Sequence, residues 1–206
     1  MIFGIDFDNT IVSYDRLFHK LAVEQNLIPA SVPVNKSDVR NQLRAQGMEE
    51  EWIVLQGVGY GSRMAEADIF PGVKDFFRSA VQQKIPIQII SHKTKHPFRG
   101  EQIDLHATAR NWLEINGFFD PKDIGLSRDA VFFELTKKEK CQRIGKQGCT
   151  HFLDDLPEFL AEPDFPSTTQ RFLFDPNNLY TEEKRFQRVQ SWNEFLEFTI
   201  QQASKA

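Results

Sequence analysis

The chain opens on Met1-Ile2-Phe3-Gly4-Ile5-Asp6-Phe7-Asp8-Asn9-Thr10, and the reading of this stretch decides the fold. Apolar residues run to Ile5, and acidic and turn-forming residues follow. That order suits a buried strand that delivers its last side chains into a loop. The design recurs at residues 85–91 (IPIQIIS), 130–133 (AVFF), 151–154 (HFLD) and 171–175 (RFLFD). Segments with helical spacing lie between these runs. Val73, Phe76, Phe77 and Ala80 share one face, as do Ala107, Trp112, Leu113 and Ile115, and then Cys141 and Ile144. Strands alternating with helices predict an α/β fold, a doubly wound parallel sheet with helices on both faces. Residues 191–200 (SWNEFLEFTI) read as a closing amphipathic helix capped by Ser191.

Residues 13–70 interrupt the alternation. They hold no convincing strand but at least two helical patterns, and they read as a small inserted α-helical cap on a main domain of residues 1–12 and 71–206. Tyr14, Leu17, Phe18, Leu21 and Ala22 form one helical face, with Ser13 as a candidate cap. A second helix over 37–45 carries Val39 and Leu43, and Gly47 is placed to end it. The segment Gln56-Gly57-Val58-Gly59-Tyr60-Gly61 has no strand before it. A dinucleotide cradle is therefore excluded and a glycine-rich turn is expected, with Gln56, Tyr60 and Arg63 as candidate substrate contacts.

Composition narrows the classes of function. A formal net charge of −4 argues against a phosphate-backbone binder, so nucleic acid is not an expected partner. No apolar run reaches the roughly 20 residues of a membrane span, and the first residues lack a signal-peptide pattern. The cytoplasm is the expected compartment and no membrane association is expected. Cys141 and Cys149 lack the spacing of a zinc site and are read as reduced structural thiols. His19, His106 and His151 share no metal-ligand spacing either. The 19 phenylalanines recur at core-like spacings and are assigned to packing rather than to base stacking.

An acidic pair at a strand end is common as a cap or turn, and Asp6 with Asp8 alone would carry no function. What adds weight is that Ser91 ends the second strand and Asp154-Asp155 ends a later one. In doubly wound sheets ligands sit beyond the carboxyl ends of the strands. Strands about 4.8 Å apart can bring three such groups to one phosphate. Lys137 shares a helical face with Cys141 and Ile144, which predicts that it turns inward; Lys138 and Lys140 are its rivals. Residues 91–99 concentrate positive charge after the second strand, with His92 and Lys93 directly beside Ser91.

In order, spacing and strand context these residues resemble the four motifs of the haloacid dehalogenase superfamily: D-x-D-x-T at residues 6–10, a Ser, a Lys and a late acidic pair. The likeness covers residues 1 to about 156. The cap resembles the superfamily's C1-type caps only in position and helical character. The resemblance implies a Rossmann-like core and phosphoryl transfer, because the superfamily's dehalogenases lack the second Asp that Asp8 supplies. It further implies Asp6 as nucleophile, Asp8 as general acid and then base, and Mg²⁺ held by Asp6, the Asp8 carbonyl and Asp154. Ser91 and Lys137 would bind the phosphoryl oxygens with His92 beside them, and Thr10 would brace the loop. Asp155 would either reach the metal through water or orient the lysine. The implied activity is hydrolysis of a small phosphorylated metabolite such as a sugar phosphate. A phosphotransferase or mutase using the same intermediate, and a non-catalytic phospho-ligand binder, are the alternatives, and oligomeric state is left open.

Overall fold

The computed structural model describes residues 1–201. Its first half contains β1 (Phe3–Ile5), β2 (Val12–Ser13), α1 (Asp15–Glu24), α2 (Lys36–Ala45), α3 (Glu49–Tyr60), β3 (Asp68–Ile69), α4 (Val73–Gln82) and β4 (Ile87–His92). α5 (Leu105–Ile115), β5 (Val131–Glu134), α6 (Lys137–Lys146), β6 (His151–Asp154), α7 (Pro157–Leu160), β7 (Gln170–Phe174), β8 (Gln187–Val189) and α8 (Trp192–Leu196) follow. The chain divides into two compact units.

The first unit comprises Met1–Ile11, Phe70–His92 and the described residues from Gly117 onward. Its sheet has six strands in the order β5-β4-β1-β6-β7-β8, and every pairing is parallel. This is the expected α/β, Rossmann-like architecture, with β8 as a strand that the apolar pattern did not announce: only Val189 of its three residues is buried. Strand periodicity sorts the core into two layers. On one face Ile90, Phe152 and Leu173 pack with Cys141 and Ile144 of α6 and Phe159 and Leu160 of α7. On the other, Phe3 meets Phe76 of α4 and Phe195 of α8, and Phe172 meets Phe195. Most phenylalanines serve this packing; Phe98, at 79% exposure, is an exception. Gly4 has a specific reason to lack a side chain, since a Cβ there would lie 2.4 Å from the Phe152 ring and 2.9 Å from the Cys149 sulfur.

The thiols of Cys141 and Cys149 sit inside the first layer. Burial pushes Cys141 up to about 11 and Cys149 up to about 12. The thiolate is the reactive form. Ellman's reagent is therefore expected to titrate neither thiol at pH 8 in the folded protein and both after denaturation; rapid reaction without denaturant would contradict the packing.

The second unit comprises Val12–Ile69 and Lys93–Asn116. The segment after β4, which the strand–helix alternation gives to the main domain, thus groups with the inserted residues. Three features differ from expectation. β2 and β3 form a two-stranded antiparallel ribbon, too short for sequence periodicity to register. Tyr14, rather than Ser13, occupies the N-cap of α1 and makes no side-chain cap, because Ser13 is taken up in β2. The glycine-rich stretch is helical, within α3. Its glycines allow close packing instead of a turn: a Cβ on Gly59 would lie 2.8 Å from the Phe18 ring, and one on Gly57 would lie 2.8 Å from the Arg99 carbonyl. α2 forms as expected, with the Asn35 side chain accepting from the Ser37 and Asp38 amides and Gly47 in the left-handed region behind it. Among the described residues, no helix is long and apolar enough to cross a membrane.

Candidate active site

β1 lies between β4 and β6, so chain order reverses at its carboxyl end. Ligands bind at such a point in open α/β sheets. Asp6 follows β1 directly, its amide donating to the Leu153 carbonyl of β6 at 2.9 Å. Because Ile5 pairs with both Ile89 and Leu153, Asp6 shares the level of Asp154, and Ser91 stands one residue further along β4. Asp6, Ser91 and Asp154 are 5%, 1% and 0% exposed, yet each is polar, which burial penalises unless partners are present. Carboxylate oxygens of Asp6, Asp154 and Asp155 lie within 4.8 Å of one another.

The loop after β1 turns sharply. Asn9 adopts φ +58°, a conformation that Asn tolerates better than most residues, and the Ile11 amide donates back to the Phe7 carbonyl at 3.0 Å. Thr10 is thereby buried, with its hydroxyl 3.5 Å from Asp6 Oδ2. Its carbonyl accepts from the Trp192 indole at 3.1 Å, an anchor from the closing helix that sequence spacing did not reveal. Asp8 is half-buried two residues beyond Asp6.

The lysine of the site is Lys140, not Lys137. Its ammonium donates to Asp6 Oδ1 and Asp154 Oδ2, both at 2.6 Å, and the side chain is 3% exposed. It lies 4.0 Å from the centre of the Phe159 ring. Lys137 is 40% exposed and pairs with Glu162 at 3.4 Å. The reason is position along the helix. Thr136 caps α6, so Lys137 is its first residue and stands three residues, about 4.5 Å along the axis, ahead of Lys140. A shared face with Cys141 and Ile144 therefore does not bring Lys137 to the carboxylates, and its ammonium pairs with Glu162 instead. Thr136-Lys137-Lys138-Glu139 is a capping box, with Thr136 Oγ1 accepting from the Glu139 amide at 3.1 Å, and that motif is the sequence signal that fixes where α6 begins.

One ammonium against two carboxylates leaves the cluster with excess negative charge. Burial pushes Asp154 up to about 7; Lys140 opposes this and Asp6 adds to it. Burial works against the Lys140 ammonium, yet Asp154 and Asp6 together hold its pKa above the usual value. Hard carboxylate oxygens with surplus charge are the donor set a small divalent cation takes, so Asp6, Asp154 and Asp155 fit Mg²⁺.

The remaining expected contacts divide. His92 ends β4 and its Nε2 donates to the Leu135 carbonyl at 3.1 Å; burial lowers its pKa. Arg63 is held by Glu66 and by Glu24, which engages its guanidinium within the second unit. Gln56 is half-buried on α3. Lys93 and Tyr60 come together in the second unit, the Lys93 ammonium lying 4.9 Å from the centre of the Tyr60 ring.

No protein-family model and no curated protein sequence matches the chain. Solved structures do. A HAD-family hydrolase from Deinococcus radiodurans, solved with bound phosphate and sodium, is 11% identical over 98% of this chain and 96% of its own, with a TM-score of 0.59. The HAD-hydrolase YfnB from Bacillus subtilis, bound to magnesium, is 14% identical over 96% and 97%, with a TM-score of 0.53. Protein Tyrosine Kinase A from Mycobacterium tuberculosis is 16% identical over 96% of each chain, with a TM-score of 0.61. A parallel sheet whose chain order reverses at β1 defines a doubly wound α/β protein. More particularly, the chain has the fold of the haloacid dehalogenase superfamily, whose hydrolases it resembles along nearly its full length.

Proposed function

We propose that the chain is a Mg²⁺-dependent phosphomonoester hydrolase that works through an aspartyl-phosphate on Asp6. The observation that carries this reading is the Lys140 ammonium set 2.6 Å from both Asp6 and Asp154 at the switch point of the sheet. Asp6 uses its carboxylate oxygen to attack phosphorus, and the bond to the leaving alkoxide breaks. Asp8 gives that oxygen its proton. Water then attacks the acyl phosphate, Asp8 takes a proton from it, and inorganic phosphate departs with Asp6 restored. Lys140 takes over the role that the sequence suggested for Lys137. It holds Asp6 in place and, with the Ser91 hydroxyl, offers positive and hydrogen-bonding character to the phosphoryl oxygens. Asp6, the Asp8 carbonyl, Asp154 and Asp155 would hold Mg²⁺, which supplies charge neutralisation when bound.

Substrates of this reading are small phosphorylated metabolites, and the compartment is the reducing cytoplasm. Phosphate release from an aryl phosphate is expected with Mg²⁺ and is expected to vanish after exhaustive chelation, returning when the cation is restored. Undiminished release in the metal-free protein would exclude the metal from the mechanism. Adding a sugar or alcohol acceptor tests transfer: new phosphoester at the expense of free phosphate would move the assignment from hydrolase to phosphotransferase.

A further inference from the structure

Trp192 is the first residue of α8 and is wholly buried. Its place is set from both sides. Ser191 Oγ accepts from the Glu194 amide at 3.1 Å and the Glu194 carboxylate accepts from the Gln190 amide at 2.7 Å, which fixes where the helix begins. Gly72, at φ +87°, leaves the room, since a Cβ there would lie 3.0 Å from Trp192 Cβ. The indole then packs edge-on against Phe76 at 5.2 Å and tilted against Phe174 at 6.2 Å. A ring with two rotatable bonds, held in this way, points its N–H in one direction.

A buried indole N–H needs an acceptor. The one it takes is the Thr10 carbonyl at 3.1 Å, 182 residues away in the chain. Thr10 closes the acidic stretch that opens at Asp6. The Asp6 amide ties the entrance of that stretch to Leu153 of β6, and the Phe70 amide ties its exit by donating to the Ile11 carbonyl at 3.0 Å. Between these ends the chain makes the turn closed by the Ile11 amide on the Phe7 carbonyl, with Asn9 in the left-handed region, a conformation that persists only where its surroundings hold it. Phe7, packed edge-on against Phe133 at 5.5 Å, secures one side of the turn, and the Trp192 bond secures the other. Asp8 stands between them in the chain. All of these residues belong to the first unit.

We propose that Trp192 is a positioning residue: its N–H, acting through the Thr10 carbonyl, sets the aim of Asp6 and Asp8. The consequence for turnover rests on the hydrolase reading above, whereas the restraint on the turn does not. Attack at phosphorus is sensitive to aim, because a displacement of about 1 Å can cost about 10²-fold in rate.

The test replaces the Trp192 indole, in the full chain, by its benzothiophene isostere, which keeps the bicyclic shape and puts sulfur in place of the N–H; Trp192→Phe is made beside it, and circular dichroism checks the fold of both. Hydrogen exchange of the Ile11 amide is expected to quicken about ten-fold in the isostere while the amides of α6 keep the parent's rates. With an aryl phosphate and Mg²⁺, kcat should fall about ten-fold at an unchanged KM, the pattern of an interaction made in the transition state. Unchanged Ile11 exchange, unchanged kcat, or a loss seen in Trp192→Phe but not in the isostere would overturn the proposal, the last because it assigns the effect to packing rather than to the N–H. A rise in KM at constant kcat would overturn it as well, by making Trp192 a determinant of binding. The two readings fail separately. A turn that loosens in a chain whose parent releases no phosphate from any ester refutes only the hydrolase, and a parent that turns over while the isostere matches it refutes only the positioning role.

Discussion

Lys140→Met is expected to lower the stability of the metal-free protein by about 3–5 kcal/mol, the range for breaking a buried ion pair from one side. The ammonium is 3% exposed and meets two carboxylates that are almost fully buried, so its removal leaves both without their cation. The sign of the pH dependence follows. A buried carboxylate that has lost its partner holds its proton to higher pH in the folded chain than in the unfolded one, so the folded state binds more protons and stability falls as pH rises. The deficit should therefore be smallest near pH 5 and largest near pH 8, as read from urea unfolding at both values. Phosphate release should fall by about 10²–10³-fold, as for the loss of one donor to a developing charge. The same substitution at Lys137, exposed and paired with Glu162, should change neither unfolding nor turnover appreciably. A Lys137 variant as damaged as the Lys140 variant would reverse the assignment.

Asp6→Asn is expected to suppress phosphate release by about 10⁴-fold or more, since removal of a nucleophile elsewhere costs that much or more. Here the fold should persist. The amide keeps the shape of the carboxylate, and Lys140 retains Asp154 at 2.6 Å, so a cluster of two acids and one base becomes a matched pair. The unfolding midpoint should stay near that of the parent while turnover disappears. Release at the parent's rate would remove Asp6 from the chemistry, and a collapse of stability would mean that its charge is needed for folding rather than for reaction.

Much of this could be read from the chain. Five apolar runs became strands, and their polar last residues, Asp6, Ser91 and Asp154, meet at one rim because parallel strands with crossover helices leave no other arrangement. The lysine was misplaced because helical spacing reports the angle around an axis and not the height along it; the capping box at Thr136 supplies the height. Gly57 and Gly59 suggested a turn because glycine is a weak helix former, whereas contacts with Phe18 and Arg99 demanded small residues inside α3. The grouping of Lys93–Asn116 with the inserted residues, and the Trp192 bond to Thr10, depend on contacts between segments distant in the chain, which local periodicity does not encode.

The missing side chain at position 4 bears on more than packing. Phe152 occupies the space a methyl group would need there, so β1 and β6 can run side by side with their next residues level. Were that space filled, the two strands would have to part or slip, and the carboxylates at their tips would no longer straddle a single ammonium. The accuracy of the acidic rim is thus set two residues below it, by an absence: an alanine, harmless in most strands, would here act as a wedge between Asp6 and Asp154.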